Sequence, residues 1–520
     1  MGNKKNYFIT TPIYYVNDSP HIGHAYTTLA CDVLARFQRL DGLNVKFLTG
    51  TDEHGQKVEK AANNEGITPK KFVDKMSKNF SELTKSLNTS NDIFIRTTDK
   101  MHIKSVQSLW ERLESNKQIY LDKYAGWYSV TDEAYYSQDE VTKINNENIA
   151  PTGAKVEWVE EPSYFFKLSE WQDPLLEFYQ KNSDFIAPES RKNEVISFVK
   201  EGLRDLSISR TSFKWGVPVP KNSDHVVYVW LDALANYISA LGFPNTKDQN
   251  FTDFWPADLH MVGKDILRFH AVYWPAFLMA ANLPIPRRIF AHGWWTNEGK
   301  KISKSLNNII DPLELLQSYG LDRIRYFLLR EVPFGSDGNF SREAIFRRSN
   351  NELSNDLGNL MQRVFSLIFN NFEGMIPESG SWTSEDKKII KQSNHLIEGV
   401  RQEISKQCFH KALDKIWFVI MSANKYIDQQ APWNLKDKDI NRMKTILYVL
   451  TESIRHISIV MQPFIPNAMQ KVLDYLSIPK EMRDFSKLND KFQITAGTKI
   501  IKPKAIFPRL DETKENHGPV

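Results

Sequence analysis

Apolar residues recur at intervals of three and four along the first long segment of the chain, residues 21–40. This spacing predicts an amphipathic helix, and Gly42 follows where a helix commonly ends. Two apolar, strand-like runs flank the helix, at residues 7–11 and 44–49. A strand, a helix and a second strand in this order are typical of an α/β protein with a parallel sheet.

Two further apolar stripes, each at helical spacing, occur in the middle of the chain. Each follows a strand-like run, at residues 225–229 and 259–262, and we expect these two strands to lie side by side in the sheet. A stripe of this kind most often belongs to a core, but one member of the second stripe, His270, is polar. The stripes consist of Trp230, Ala233 and Tyr237, and of Ile266, His270 and Trp274.

The pattern differs in two other regions. Between about residues 116 and 225, aromatic strand-like segments dominate, which predicts a separate β-rich insert. From about residue 350 onward, heptad-like apolar spacing recurs and strand signals are few, which predicts a helix bundle. The fold class is therefore α/β, followed by an all-α domain.

Composition excludes several classes of protein. The chain has 520 residues, 41% of them hydrophobic and 25% charged, which is typical of soluble multidomain proteins. Its net charge of +4 is compatible with an RNA partner but does not by itself predict one. Two cysteines exclude a disulfide framework. The longest apolar run, residues 271–281, is shorter than the ~20 residues that a bilayer requires, and we expect a cytoplasmic protein without membrane contact.

The start of the first predicted helix carries candidate chemistry. The free backbone N–H groups and positive dipole of a helix N-terminus suit phosphate. His21 and His24 lie one turn apart there, and their imidazoles can donate to charge that develops on a transferred phosphoryl group. Gly23 between them leaves room for a flat ring against the backbone.

A second candidate lies far along the chain, in a loop rich in serine, glycine and asparagine. Lys301 and Lys304 place two ammonium groups three residues apart in that loop. Such a loop can act as a mobile cationic clamp on a pyrophosphate leaving group. Taken alone, a pair of histidines is usually a surface pair, and a Lys/Ser loop is usually only solvated.

Together, in this order and strand–helix context, residues 21–24 and 301–305 resemble the HIGH and KMSKS motifs of class I aminoacyl-tRNA synthetases. The residues between and after them narrow the resemblance to the methionyl-tRNA synthetases. The resemblance implies a two-step reaction. Methionine first reacts with ATP to give methionyl-adenylate and pyrophosphate, and methionine then passes to the 3′ end of tRNA(Met), elongator and initiator.

The resemblance also implies a domain organisation, in which a Rossmann-like parallel-sheet catalytic domain is split by a connective-peptide insert. A stem-contact segment and an anticodon-binding helix bundle follow. The expected domains are residues 1–115 and 226–290 for the two halves of the catalytic domain, 116–225 for the insert, 291–350 for the KMSKS loop and stem-contact fold, 351–510 for the bundle and 511–520 for a tail.

Three sets of site residues follow from the resemblance. Asp52, at the carboxyl end of the strand that begins at Asn44, is expected to hold the amino group of methionine, although its residue type alone fits a helix cap equally well. The methionine site comprises Ile13, Tyr15, Asp52, Trp230, Ala233, Tyr237, Ile266, His270 and Trp274. The ATP site comprises His21, His24, Gly263, Asp265, Lys301 and Lys304, of which His21, His24, Lys301 and Lys304 are the catalytic residues. The anticodon-reading residues are Asn359, Arg363, Pro432 and Trp433.

The resemblance and the residues of the insert also lead to expectations about cofactors and partners. Mg²⁺ should accompany ATP, held mostly by phosphate oxygens. Many relatives bind zinc through cysteine pairs in the insert, but this chain has Ser129 and Asp132 where one pair would lie, so we expect no structural zinc and no metal site. The partners are methionine, ATP and tRNA(Met). An additional dimer-forming domain of some relatives is absent, so we expect a monomer.

Three alternatives stay open at this point. A small-molecule nucleotidyltransferase shares the histidine motif but needs no helix bundle. A non-catalytic RNA-binding relative would not need the intact histidines and lysines. The isoleucine, valine and leucine enzymes carry a much larger editing insert than the roughly 110 residues available here.

Overall fold

The computed structural model describes residues 5–17, 19–132, 134–297, 300–301 and 310–511. The chain divides into two compact units. The N-terminal unit comprises Asn6–Cys31 and Val45–His292, and the C-terminal unit comprises Met1–Lys5, Asp32–Asn44 and Gly293–Val520. The first helix, Ile22–Leu40, contributes residues to both units.

The N-terminal unit is built on a mostly parallel sheet. Its strands are β1 (Asn6–Thr10), β2 (Tyr14–Tyr15), β3 (Asn44–Asp52), β4 (Ile93–Arg96), β5 (Ile119–Ser129), β6 (Ala134–Tyr136), β7 (Thr142–Ile144), β8 (Glu147–Ile149), β9 (Glu157–Phe166), β10 (Ile186–Ala187), β11 (Leu206–Ser207), β12 (Ser209–Arg210), β13 (Pro218–Val219), β14 (Asn222–Val227), β15 (Leu259–Gly263) and β16 (Ile289–His292). In the described residues, seven of these form one sheet in the order β10-β16-β15-β1-β3-β2, with β4 also paired to β3.

Helices pack around this sheet. They are α1 (Ile22–Leu40), α2 (Gln56–Asn64), α3 (Pro69–Ser86), α4 (Lys100–Ser115), α5 (Gln172–Lys181), α6 (Glu189–Lys200), α7 (Val229–Leu234), α8 (Asn236–Ser239), α9 (Gln249–Phe254) and α10 (Trp274–Ala280). The apolar stripe of α1 is buried, as its spacing predicts, at Ala25, Leu29, Val33 and Phe37. The predicted strand–helix–strand start of the chain is therefore confirmed.

One predicted strand belongs to a different sheet. We expect the catalytic sheet to resume at His225, beside the strand at residues 259–262. Instead, β14 pairs antiparallel with β12 and β13 in a separate three-stranded sheet, while β15 lies in the main sheet. The prediction that the two strands lie side by side is wrong, because an apolar run indicates a buried strand but not which sheet contains it. The main sheet gains β10 instead, which pairs in parallel with β16.

Both predicted helical stripes lie on irregular helices. The first is interrupted after Leu234, where α7 ends, and α8 begins at Asn236, whose side-chain amide donates to the carbonyl of Ala233 over 2.6 Å. The second begins with a 3₁₀ turn at Lys264–Ile266 and continues through a π-helical turn, Phe269–Tyr273, into α10. π-helical turns are frequent at functional sites.

The β-rich segment contains a long antiparallel pair of strands, β5 and β9, within a four-stranded sheet. Its Ser129 and Asp132 take part in local hydrogen bonds. The backbone N–H of Asp132 donates to Ser129 Oγ over 3.0 Å, and Asp132 Oδ2 accepts from Tyr136 and Thr152 over 2.9 and 2.6 Å. These bonds link the turn after β5 to its neighbours without cysteine.

The C-terminal unit is mainly helical. Its helices are α11 (Pro312–Tyr319), α12 (Leu321–Arg330), α13 (Arg342–Arg347), a π-helical stretch (Arg348–Gly358), α14 (Asn359–Asn371), α15 (Ser384–Ile404), α16 (Phe409–Gln430), α17 (Ile440–Met461) and α18 (Pro466–Tyr475). A small sheet contains β17 (Trp295–Asn297), β18 (Lys300–Lys301) and β19 (Gly338–Phe340). The predicted helix bundle is confirmed, and α17 is buried along most of its length.

Candidate active site and anticodon surface

The two histidines at the start of α1 are fixed by hydrogen bonds to the backbone. The N–H of His21 donates to Nδ1 of His24 over 3.0 Å, and the N–H of Gly23 donates to Nδ1 of His21 over 3.0 Å. Because each Nδ1 accepts a hydrogen, the hydrogen of each neutral ring must be on Nε2. The ring centroids are 3.9 Å apart. The pair therefore presents two Nε2–H donors at a helix N-terminus.

The His24 ring is neutral near pH 7. Burial, aided by the neighbouring His21, lowers the pKa of His24 well below its usual value. Its ring packs edge-on against Tyr14 and Phe80, with centroid distances of 4.8 and 5.2 Å. A neutral donor with a fixed ring suits a group that must bond to phosphate oxygens without adding a proton to them.

Gly23 lies at a close approach between the backbone and a side chain. A Cβ at this position would lie 2.8 Å from Cε1 of His21, so the space is filled by the ring of His21 itself. Gly263 is similar, because a Cβ there would lie 2.5 Å from Oδ1 of Asp265. Both glycines therefore allow a neighbouring functional side chain to fold back over the backbone.

The structure adds His292, which was not among the predicted site residues. It is the last residue of β16 and the register partner of Gly263 at the end of β15. Its Nε2 lies 2.7 Å from Oγ1 of Thr27, which also donates to the carbonyl of Gly23 over 3.1 Å. A polar residue at the carboxyl end of a buried strand, the signal that identified Asp52, could have identified His292 as well.

Four residues of the predicted methionine site form one ring cluster. The hydroxyl of Tyr237 lies 2.8 Å from Nε2 of His270, and the centroid of Tyr237 is 6.0 Å from that of Trp274. The ring of Trp230 lies edge-on to His270 at 6.2 Å and stacks on Phe269 at 3.7 Å. The two stripes therefore meet, although the strands before them lie in different sheets.

His270 is neutral and its tautomer follows from its contacts. Nδ1 lies 2.9 Å from the carbonyl oxygen of Ile266, which can only accept, so Nδ1 carries the hydrogen and Nε2 accepts from the Tyr237 hydroxyl. Burial lowers the pKa of His270 to about 4. The polar groups of both side chains thus bond to each other or to the backbone, and the cluster presents no charge.

The remaining predicted methionine residues belong to the same N-terminal unit as the ring cluster. Ile13, Tyr15 and Ile266 pack against the same hydrophobic core, and Ala233 is buried on α7. Asp52 is the last residue of β3, only 7% exposed, and is the register partner of Tyr15 on the short strand β2. The carboxylate and the aromatic residue therefore occupy neighbouring positions at the carboxyl end of the sheet.

The lysine motif is described only in part. The backbone of Lys301 pairs with Thr296 in the antiparallel strands β17 and β18. Lys304 lies outside the described residues, as do residues 302–309 that surround it. The placement of Lys304 relative to His21 and His24 stays a prediction.

The four predicted anticodon residues lie on two elements of the helix bundle. Asn359 is exposed in the first turn of α14, and Arg363 follows one turn later. The guanidinium of Arg363 lies 5.1 Å from the ring centroid of Trp433 and donates to Asp428 over 2.6 Å. Pro432 begins a 3₁₀ turn after Ala431, whose φ of 42° is left-handed. Trp433 is 46% exposed, which is unusual for such a large apolar side chain.

Comparisons with known proteins agree with this arrangement over nearly the whole chain. Residues 7–365 match the family model of tRNA synthetases class I (M), and residues 376–517 match the anticodon binding domain of methionyl tRNA ligase. The chain belongs to the methionyl-tRNA synthetase family. The predicted fold class and the predicted activity, that of a methionine–tRNA ligase, are thereby confirmed.

Individual relatives in this family are similar over their full length. The methionine–tRNA ligase of Rickettsia felis is 55% identical over 98% of this chain and 99% of its own length, and that of Brucella suis is 50% identical over 99% and 100%. A solved structure of Mycobacterium tuberculosis methionyl-tRNA synthetase in complex with methionyl-adenylate has a TM-score of 0.95, with 48% identity over 97% of this chain and 100% of its own. Its apo form has a TM-score of 0.89 and 46% identity over 98% and 99%.

Two further features of the described residues concern membranes and metal ions. None of the described helices is both long and apolar enough to cross a membrane. Within the same residues, no group of three or more His, Cys, Asp or Glu side chains is arranged to hold a metal ion.

Proposed function

We propose that the chain activates L-methionine with ATP at the carboxyl end of the main sheet and then transfers it to tRNA(Met). The observation that carries this proposal is the bond between the Tyr237 hydroxyl and neutral His270 within a ring of aromatic side chains. A methionine thioether is polarizable, uncharged and only a weak acceptor, so it fits an uncharged aromatic site in which the tyrosine hydroxyl and the imidazole bond to each other.

We assign the amino group of methionine to Asp52. Its carboxylate lies at the end of β3 next to Tyr15, on the edge of the sheet where open α/β proteins bind their ligands. Ile13, Trp230, Ala233, Ile266 and Trp274 complete the proposed methionine site. The high burial of Asp52 strengthens its attraction for an ammonium group.

We assign ATP to the start of α1 and the ends of β15 and β16. The Nε2–H groups of His21 and His24 donate to phosphate oxygens, Gly263 lies beside the nucleotide, and the exposed carboxylate of Asp265 bonds to the ribose. Lys304, helped by Lys301, neutralises the leaving pyrophosphate. Mg²⁺ enters with ATP and is held mostly by its phosphate oxygens.

No protein nucleophile is needed for this reaction. The methionine carboxylate attacks the α-phosphorus of ATP, the bond to the β-phosphate bridging oxygen breaks, and pyrophosphate leaves. The chain contributes positioning and neutralisation of charge, which are the main terms in phosphoryl transfer. The ribose hydroxyl of the terminal adenosine of tRNA then attacks the methionyl carbonyl, and AMP leaves.

We assign anticodon recognition to Asn359, Arg363, Pro432 and Trp433. An exposed indole beside a guanidinium provides a surface on which unstacked bases can stack, and an exposed carboxamide can bond to base edges. The left-handed Ala431 and the following proline fix the turn that presents Trp433. These four residues can therefore make the polar and stacking contacts that reading of a CAU anticodon requires.

Charging of tRNA with radiolabelled methionine tests the whole proposal. The full chain should charge a tRNA with a CAU anticodon and should charge the same tRNA poorly after the anticodon is changed. Equal charging of both would contradict the anticodon assignment, and no methionine-dependent charging of either would contradict the function. The monomeric state and the cytoplasmic location stay predictions, of which sedimentation tests the first.

A further inference from the structure

A buried carboxylate outside the proposed substrate contacts joins two histidines. Asp232 is fully buried, and each of its oxygens binds a different imidazole: Oδ2 lies 2.7 Å from Nδ1 of His54, and Oδ1 lies 2.7 Å from Nε2 of His102. Burial alone would raise the pKa of the Asp232 carboxyl, but the two histidines outweigh it, and the pKa falls to about 2. A charged group in such a position is costly unless every contact is kept.

The network reaches three of the segments that carry proposed methionine contacts, those of Asp52, Trp230 and Tyr237. His54 lies two residues after Asp52, and Asp232 lies in α7 between Trp230 and Ala233. The second nitrogen of His102, Nδ1, lies 2.9 Å from Oγ of Ser239 on α8. The helix α8 also contains Tyr237, while His102 belongs to the long helix α4. The network thus connects the segment of Asp52, the proposed contact of the methionine amino group, and the helices α7 and α8 to the single helix α4.

Asp232 itself is not placed to touch methionine. Two residues along a helix correspond to a rotation of about 200°, so Asp232 lies on the opposite side of α7 from Trp230. Its two histidine contacts confirm that it points toward α4 and the end of β3. Any effect of Asp232 on methionine must therefore pass through the segments that the network joins.

Short helices need an anchor of this kind. Helices as short as α7, with six residues, and α8, with four, are unstable alone, so packing and tertiary bonds must hold them. The segment after β3 is held from a second side, because Trp215 Nε1 donates to the carbonyl of Glu53 over 2.6 Å and its ring packs edge-on to His54. These contacts fix the position of His54, and its bond to Asp232 in turn holds α7 in place.

We propose that Asp232, His54 and His102 are positioning residues that set the distance between the Asp52 carboxylate and the aromatic wall of the methionine site. The proposal rests on the methionine assignments given above. Methionine is recognised by an ammonium group at one end and a thioether at the other, so its binding depends on the spacing of the two contacts. ATP depends on neither α7 nor α8, so its binding should be insensitive to the network.

The test compares kinetic constants of ATP–pyrophosphate exchange for Asp232→Asn and the unmodified chain. Displacement of a positioning element by a fraction of an ångström raises KM for methionine on the order of 10- to 100-fold, while KM for ATP stays within about twofold. Equal increases in both constants, or an unchanged KM for methionine, would overturn the proposal. Absence of methionine-dependent exchange in the unmodified chain would instead overturn the proposed function.

A matched control separates positioning from a general loss of stability. Glu452 in α17 is also a buried carboxylate, which binds Nε2 of His456 over 3.0 Å and Arg455 Nη2 over 2.6 Å. Glu452→Gln makes the same chemical change in the C-terminal unit. It should lower the melting temperature and leave KM for methionine unchanged. A rise in KM equal to that of Asp232→Asn would overturn the proposal.

A second pair of variants decides the question if Asp232→Asn does not fold. His102→Gln keeps an N–H donor for Asp232, whereas His102→Ala removes it. KM for methionine should be close to the unmodified value in His102→Gln and raised in His102→Ala. Equal KM values in the two variants would contradict the positioning role.

Discussion

Oγ1 of Thr27 lies 2.7 Å from Nε2 of His292, which links the first turns of α1 to the end of β16. The hydroxyl has one hydrogen, and when that hydrogen goes to the carbonyl of Gly23, Thr27 accepts from Nε2–H of His292. This buried bond connects the histidine motif to the strand ends at which we place the nucleotide. Its geometry leads to the first prediction.

Thr27→Val should slow adenylate formation. The valine fits the same space but removes the hydroxyl that bonds to the buried Nε2 of His292, at a cost of about 1–3 kcal/mol, which corresponds to a loss of rate of roughly 5- to 100-fold. Pyrophosphate exchange at saturating methionine and ATP measures the effect. Thr84→Val, which removes a helix-internal hydroxyl bond to Ser81, is the control. An unchanged exchange rate for Thr27→Val would exclude a role of this bond in positioning.

Tyr237→Phe should raise KM for methionine about tenfold through the loss of the hydroxyl that donates to His270. Exchange kinetics with varied methionine give this constant. Tyr448→Phe removes another tyrosine hydroxyl bond, 2.9 Å to the carbonyl of Ile494 in the helix bundle, and should leave KM unchanged. If both variants shift KM equally, Tyr237 has no specific part in methionine binding.

Lys304→Ala should reduce the rate of pyrophosphate exchange by at least about 100-fold, because one cation is removed from the leaving group. Methionine binding, measured by fluorescence titration without ATP, should be preserved. The comparison is informative because the proposed methionine contacts lie on other elements. A variant with an unchanged exchange rate would refute the clamp role.

Trp433→Ala should weaken tRNA charging while pyrophosphate exchange stays normal. Loss of a stacked base costs about 1–3 kcal/mol, so the ratio kcat/KM for tRNA should fall by roughly 5- to 100-fold. Phe418, which is 61% exposed on α16, offers a matched aromatic control. Equal losses for Trp433→Ala and Phe418→Ala, or equal losses in charging and exchange, would remove the anticodon assignment.

Glu452 should make stability depend on acid pH. Burial alone would raise the pKa of the Glu452 carboxyl, but Arg455 and His456 lower it by a larger amount, so the pKa falls from 4.5 to about 2. A carboxyl whose pKa is depressed in the folded state stabilises the fold at pH values above its unfolded pKa. This contribution is lost as the pH falls from about 4.5 to about 2, and it amounts to roughly 3 kcal/mol in total. Calorimetry should show Glu452→Gln melting lower at pH 7 and converging with the unmodified chain in acid. A constant difference across this range would contradict the assignment.

The sequence predicts the helices in which apolar residues recur at a regular spacing. The apolar spacing of α1 and of the bundle helices indicates their type, and the bounds agree within a few residues because a buried stripe has to follow 3.6 residues per turn. It does not predict that β14 leaves the main sheet, since pairing depends on neighbours that an apolar run does not specify.

The candidate site shows a similar division. The proximity of Tyr237 and His270 could be predicted from the two apolar stripes and the family resemblance. The irregularity of their helices could not, because apolar periodicity does not reveal it. Asp232 could not be identified, because it lies off the apolar stripe of its helix and its partners are distant in sequence, whereas the position of His292 at the end of a buried strand was a usable signal. Only the folded chain joins residues 54, 102 and 232.

ATP–pyrophosphate exchange with a panel of amino acids tests the central claim most directly. The aromatic cluster around Tyr237 and His270, together with Asp52, predicts exchange with methionine and much slower exchange with leucine, isoleucine and valine. Exchange that proceeds with leucine or valine and not with methionine would contradict the account.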